Sequence, residues 1–218
     1  MKEGKPMPNH TIFNERPESQ DRALKVIEKL GYTIVPRSEA EKKRGSRRAV
    51  LFTEELQSFL SHQMYQFGTE ERYFSGGSIA KAMQTVDQFS AAGLYAENKA
   101  IYELLCAGKS MEEDLPDGTR QSFDLSFIDF EYPENNTFQV TDEFEVERPN
   151  GKFARPDIVV LVNGIPLVVI ECKKSSVDVM EGVNQNIRNW GEEYIPHLFR
   201  YTQLVLAMNP DKVLYGTC

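Results

Sequence analysis

Arg155 to Lys174 reads RPDIVVLVNGIPLVVIECKK, and the fold turns on this stretch. Ile158 to Val162 is an unbroken β-branched and leucine run, Leu167 to Ile170 is a second, and Asn163-Gly164 between them is a strong hairpin signal. Neither run has a polar face. A strand that is apolar on both faces is buried on both, so the hairpin is expected in the middle of a sheet covered by helices. Asp157 opens the first strand, while Glu171 and Lys173 close the second, which carries ionisable groups to one end of a buried hairpin.

Register decides whether those groups meet. A plain two-residue loop sets Asp157 opposite Ile170 and turns Glu171 to the other face, because side chains alternate along a strand. A three-residue loop with a bulge, over Asn163 to Ile165, shifts the pairing by one; Asp157 then faces Glu171, and Lys173 shares their face. The sequence therefore predicts the bulged loop. Facing carboxylates repel and lose hydration unless a cation lies between them. Oxygen ligands suit Mg²⁺, which takes one or two carboxylates and keeps waters. Lys173 is then placed to orient an attacking water or to stabilise charge building on a phosphate oxygen. The plainer alternative is that both acids merely end their strands and Lys173 pairs with one of them.

Pro156-Asp157, a hairpin, then Glu171-Cys172-Lys173 resembles the PD-(D/E)XK nuclease core. With NQNIRN and IPHLFRYTQLVLAMN downstream, the wording is similar to the amino-terminal nuclease domain of the restriction (R) subunit of type I restriction-modification enzymes. The likeness runs from about Asn14 onward and includes Asn98-Lys99-Ala100 and Ile128-Asp129-Phe130. It is weak from Pro36 to Gly93, which reads as a possible helical insertion. The resemblance implies that Asp157 and Glu171 bind Mg²⁺ and that Asp157, Glu171 and Lys173 are catalytic. It implies an acidic metal ligand on the first helix, for which Glu18 is the candidate and Glu15 and Asp21 are substitutes; the expected position itself holds Gln20. It also implies that Gln185 helps hold the active site or the DNA, with Arg188 as a phosphate contact and Lys174 as DNA-binding or active-site support, whereas helix geometry alone reads Gln185 and Arg188 as solvent-exposed. The family pattern has Tyr four residues after the Gln, where this chain has Asn189 followed by Trp190. ATP, in this picture, belongs to motor domains beyond this stretch, so the chain reads as a fragment of a longer subunit.

With 218 residues and 40% hydrophobic content the chain can bury a core. It has no long apolar run and no apolar leader, so a soluble cytoplasmic protein with no membrane partner is expected. Cys106, Cys172 and Cys218 show neither metal spacing nor a disulfide framework, and Cys172 is expected to point into the core. His10, His62 and His197 are scattered, which argues against a histidine-ligated hydrolase. A net charge of −8 disfavours tight autonomous DNA binding. Lys42, Lys43, Arg44, Arg47 and Arg48 read as a solvated loop, with contact to a nucleic-acid backbone as the alternative.

Residues 1–13 are expected to be a flexible start, followed by a helix that opens at Pro17 and stops at Gly31, and by a strand over Tyr32 to Val35. Ala49 to Phe52 reads as a strand, and Thr53 as the cap of a helix through Phe67. Ser75-Gly76-Gly77-Ser78 reads as a loop and helix cap rather than a phosphate loop. Helices follow over Ile79 to Phe89 and Asn98 to Cys106, then alternating strands from Phe123, in which Glu143, Glu145 and Glu147 read as exposed positions without chemistry. A helix over Asp178 to Trp190, with Val183, Ile187 and Trp190 as its apolar stripe, and strands over Tyr201 to Met208 and Lys212 to Gly216 close the pattern.

The fold expected is α/β (α+β), a restriction-endonuclease-like core with a central mixed β-sheet flanked by helices over residues 14–218. The function expected is Mg²⁺-dependent DNA endonuclease, with double-stranded DNA and the methylation and specificity subunits as partners. The alternative is a nuclease-fold module that docks partners or guides DNA without cutting it.

Overall fold

The computed structural model describes residues 18–88 and 93–218. The expected flexible start and the expected first-turn position of Pro17 lie outside the described residues. Along the chain run α1 (Glu18–Lys29), β1 (Thr33–Ile34), α2 (Arg37–Arg44), α3 (Thr53–Ser61), β2 (Met64–Phe67), β3 (Glu70–Tyr73), α4 (Gly76–Asp87) and α5 (Leu94–Ala107). Then come β4 (Lys109–Asp114), β5 (Arg120–Leu125), β6 (Phe138–Asp142), β7 (Val146–Glu147), β8 (Phe153–Ala154), β9 (Ile158–Val162) and β10 (Ile165–Cys172). The rest is α6 (Val179–Asn189), α7 (Pro196–Phe199), β11 (Leu204–Met208) and β12 (Val213–Gly216).

A mixed sheet of six strands in the order β1-β6-β9-β10-β11-β12 forms the centre. β1 runs parallel to β6, β10 runs parallel to β11, and the other pairs are antiparallel. The hairpin β9-β10 is therefore the middle of the sheet, as its two apolar faces require. On one face Ala23 and Leu24 of α1 pack on Val140, Ile158, Val160, Ile170 and Cys172. On the other, Val159, Leu161, Val169 and Val205 join a larger core with Phe52, Leu56, Leu60 and Phe199. Burying each such side chain is worth about 1.5–3 kcal/mol of transfer free energy, so both faces hold the hairpin in place.

The loop differs from the expected one. Ile165 pairs directly with Val162, leaving Asn163 (φ 49) and Gly164 (φ 78) as a two-residue turn with both backbones left-handed, the type I′ pattern. Asn163 is fully buried: its Nδ2 donates to Phe127 O (3.0 Å) and Asn136 Oδ1 (2.8 Å), and its Oδ1 accepts from Thr137 N–H (2.8 Å). Gly164 O accepts from Phe52 N–H (2.9 Å), and a Cβ on Gly164 would lie 2.3 Å from Phe52 O. A turn pinned from two sides has no room for a third residue.

The one-residue shift nevertheless occurs, farther along. Pro166 pairs with Leu161 and Val168 with Val160, so Leu167 is the extra residue of a bulge inside β10. Proline has no N–H for the ladder, which makes the residue after Pro166 the natural place to break pairing. Leu167 O turns instead to Gln203 N–H (2.8 Å). Beyond the bulge the pairing is the predicted one, Val169 with Val159 and Ile170 with Ile158.

Other expectations are corrected by tertiary contacts. The basic cluster falls largely on α2, where Arg44 is buried over the Phe144 ring (4.0 Å) and donates to Glu145 O (2.9 Å). Burial pulls its pKa down to about 10. Arg47 pairs with Glu145 (2.8 Å), Arg48 with Glu147 (3.0 Å) and Lys43 with Glu55, so most of this charge is spoken for within the fold. Ala49 to Phe52 is irregular rather than a strand. The helix from Thr53 stops at Ser61, and its cap position is Phe52 without a side-chain bond. Met64–Phe67 is instead a strand of the β2-β3 hairpin, drawn there by Tyr65 stacking on Phe123 (4.1 Å). Ser75 caps α4 through Ser78 N–H (3.3 Å), as read. α6 buries Val179, Gly182, Asn186 and Asn189 and leaves Ile187 half exposed, so its inner face is not the apolar stripe of the sequence. No helix among the described residues is long and apolar enough to cross a membrane.

Candidate active site

The bulge sets Asp157 and Glu171 one step beyond the Ile158–Ile170 pair, on the face of Val159 and Val169. Asp157 sits where β9 begins and is only partly buried; its Oδ2 accepts from Cys172 N–H (2.7 Å). Cys172 itself points to the opposite face, into the α1 core. Glu171 is fully buried; no N–H among the described residues donates to either carboxylate oxygen, and its side-chain hydrogen-bonding neighbour is the other acid, Asp157. Lys173 Nζ lies 3.9 Å from Glu171 Oε2. Burial, and then the neighbouring Asp157 charge, push the Glu171 carboxyl well above the usual carboxylate range. Burial also raises Asp157, against the pull of the Cys172 N–H and of Lys173.

Lys173 lies at the mouth of this corner. Its backbone N–H donates to Met208 O (2.7 Å), and its O accepts from Ser19 Oγ of α1 (2.8 Å). Its Nζ donates to Gln185 Oε1 of α6 (2.7 Å). α6 can lie this close because Gly182 has no side chain: a Cβ there would meet Ala207 Cβ at 2.9 Å and Glu171 Cβ at 3.4 Å. Asp178 caps the helix through Met180 N–H (2.9 Å) and fixes where it starts.

Gln185, Arg188 and Lys174 line an open groove of about 590 Å³ outside Lys173. The Arg188 charge reaches Glu171, and its guanidinium lies over the Tyr194 ring (5.6 Å), whose ring also carries Arg148 (4.0 Å). Asp157, Glu171, Lys173, Gln185 and Arg188 are thus brought together, with exposed Lys174 at the rim. Glu18 opens α1, but its side chain, like Glu15, lies outside the described residues. Asp21 is exposed.

Three contributors were missed or under-read in the sequence: Ser19, Gln20, noted there only as holding the position expected of an acidic ligand, and Glu143. Ser19 and Gln20 are both buried at the start of α1. Gln20 Nε2 donates to Asp157 O (3.2 Å). Their signal was positional: they lie one turn before Ala23 and Leu24, on the face that meets the sheet. The third is Glu143, assigned no chemistry, which breaks the strand after β6 at φ 53 and hydrogen bonds to Asp157 O through its N–H (2.9 Å).

Among the described residues no three His, Cys, Asp or Glu side chains gather as a ready-made metal cage. The two carboxylates still fit a hard divalent cation, because a buried glutamate whose oxygens both lack donors is an incomplete site.

A mixed six-stranded sheet with two carboxylates and a lysine at one end of its central hairpin defines a restriction-endonuclease-like class of fold. A family model described as "Type I restriction enzyme R protein N terminus" matches residues 12–218, and the chain belongs to that family. It is 32% identical over 122 residues (55% of this chain, 12% of the relative) to the type I restriction enzyme SauCOLORF180P endonuclease subunit of Staphylococcus aureus. It is 27% identical over 203 residues (89% of this chain, 18% of the relative) to the HindI endonuclease subunit of Haemophilus influenzae. A Staphylococcus saprophyticus endonuclease subunit, SsaAORF53P, is 40% identical over 85 residues, covering 39% of this chain and 9% of the relative. The chain thus spans less than a fifth of these relatives' lengths.

Proposed function

We propose that this chain is the DNA-cleaving domain of a type I restriction endonuclease subunit and that it hydrolyses phosphodiester bonds with Mg²⁺. The observation that carries this reading is the fully buried Glu171 carboxylate, without a donor for either oxygen, set against Asp157. Two acids driven together at a buried strand end cost stability and call for a cation between them. Asp157 and Glu171 would hold it. Mg²⁺, when bound, neutralises both carboxylates and acidifies coordinated water.

The chain's own groups do the rest. Lys173 Nζ, held by Gln185 Oε1, orients the attacking water and stabilises charge building on the phosphate. The Cys172 N–H holds Asp157 Oδ2, so that carboxylate is oriented before substrate arrives. Arg188 and Lys174, on the groove, contact phosphates of the DNA strand. By the family's nature, motor domains elsewhere in the subunit would translocate DNA with ATP, and the methylation and specificity subunits would supply recognition.

The test is a Mg²⁺ titration of cleavage by the reconstituted complex carrying wild type or Asp157→Ala. Wild type is expected to cut as Mg²⁺ saturates and the variant not to cut. Equal cleavage would remove the catalytic assignment and leave a docking or DNA-guiding module.

A further inference from the structure

We propose that Glu143 is a positioning residue for Asp157, clamping it together with Gln20 of α1 and with Arg155, and so sets how tightly this corner holds a divalent cation. The inference rests on reading Asp157 and Glu171 as the cation ligands.

Among the described residues, only Glu143 and Asn163 are non-glycine residues with positive φ. Asn163 is accounted for by its type I′ turn and its side-chain bonds. Asparagine also tolerates this conformation better than most residues. Glutamate has no such tolerance, so its left-handed backbone at φ 53 must be held by its surroundings.

Those surroundings converge on Asp157. Glu143 N–H donates to Asp157 O at 2.9 Å, and Gln20 Nε2 donates to the same oxygen at 3.2 Å. Gln20 Nε2 also lies 3.5 Å from Glu143 Oε1, while Arg155 Nε lies 2.7 Å from Glu143 Oε2. Gln20 is fully buried, so this amide is fixed by its neighbours and not by solvent. Two donors on the main-chain carbonyl and one on the carboxylate hold Asp157 at both ends. The left-handed turn is what aims the Glu143 N–H at Asp157 and swings its carboxylate toward α1 and Arg155. Outer groups that orient a ligating carboxylate commonly change metal affinity by roughly 10–100-fold when removed.

The test is Mn²⁺ titration of the 218-residue chain, read by calorimetry, alongside its melting temperature in EDTA. Glu143→Gly accepts the left-handed backbone without strain and deletes the carboxylate. It is expected to melt within a few degrees of wild type yet to bind Mn²⁺ roughly tenfold more weakly. Glu143→Gln keeps an oxygen for Gln20 and is expected to recover part of that loss. Gln20→Ala, which leaves Glu143 intact, is expected to weaken Mn²⁺ in the same direction. Unchanged Mn²⁺ affinity in folded Glu143→Gly and Gln20→Ala would overturn the inference, whatever happens to the melting temperature. Asp157→Ala separates the two readings. If it abolishes Mn²⁺ binding while Glu143→Gly does not weaken it, only the positioning role falls. If wild type and Asp157→Ala bind equally, or wild type binds none, the cation reading falls and the positioning role with it.

Discussion

Asp157 and Glu171 meet across β9 and β10 because one residue, Leu167, is looped out of the ladder behind Pro166. Without that bulge the pairing established at the turn, Ile165 with Val162, would carry Ile170 opposite Asp157 and send Glu171 to the face of α1. The candidate chemistry thus depends on a defect in a buried strand, close to the turn and well away from the acids it serves.

Glu171 is the residue whose removal is expected to stabilise the metal-free fold. Its carboxyl is raised by burial and by Asp157, so the folded state favours the protonated form. The stability tied to that proton is fully present below the ordinary glutamate range and is lost as pH rises through the raised folded value. Glu171→Gln is therefore expected to melt higher than wild type in EDTA at pH 8, by the equivalent of about 1–3 kcal/mol, with the gap closing toward pH 4. Mg²⁺ is expected to raise the melting temperature of wild type alone. Equal melting curves at both pH values would show that the buried carboxylate is already compensated within the fold.

Lys173 and Gln185 are expected to separate binding from chemistry. Lys173→Met removes the ammonium beside the two acids and is expected to lower the cleavage rate of the reconstituted complex by about 10²–10³-fold, while Mg²⁺ still binds. Gln185→Ala leaves the ammonium but frees it from its 2.7 Å bond, and a loss of about 10–100-fold is expected. A Gln185→Ala enzyme that cuts as fast as wild type would make that hydrogen bond incidental.

The hairpin was legible because its residues answer to local rules: two apolar runs, Asn-Gly between them, charges at one end. The register was legible as a requirement, since the acids had to share a face, but its origin was misplaced in the turn. The cue was Pro166, whose missing N–H marks the weak rung; the buried partners that close the Asn163-Gly164 turn to two residues come from Phe127, Asn136 and Phe52, far off in sequence. Glu143 looked like one more exposed charge because alternation with Phe144 and Val146 was assumed to continue, and nothing local announces a left-handed glutamate. The inner face of α6 was misread for a related reason. Hydrophobic periodicity finds apolar seams, whereas this helix lies on Glu171 through Gly182 and reaches Leu206 O through Asn186 (3.1 Å).

Gly182 offers a test of that close approach. An Ala there would place its Cβ 2.9 Å from Ala207 Cβ, nearer than packed carbons tolerate, and would push α6 outward together with Gln185. Gly182→Ala is expected to cost about 1–3 kcal/mol of stability and to slow cleavage, because Lys173 loses its partner. Adding Ala207→Gly removes the other half of the clash and is expected to restore part of both. Denaturant melts and cleavage rates of the two variants, measured side by side, check the coupling; loss of stability without loss of rate would show that Gln185 keeps its reach.

Arg188 distinguishes a phosphate contact from a solvated helix cation. It lines the groove outside Lys173 and shares the Tyr194 ring with Arg148, a stack that keeps an otherwise mobile guanidinium beside the site. Each neutralised phosphate contributes about 0.9 to the negative slope of log affinity against log salt. Arg188→Ala is therefore expected to weaken DNA binding by the whole subunit at low salt and to flatten that slope by about one, uniformly across DNA sequences. Tyr194→Ala, which leaves the charge but removes its support, is expected to weaken binding less and to leave the slope nearly intact. A slope unchanged by Arg188→Ala would assign the residue to the protein's own electrostatics, as a cation stabilising Glu171 across the groove.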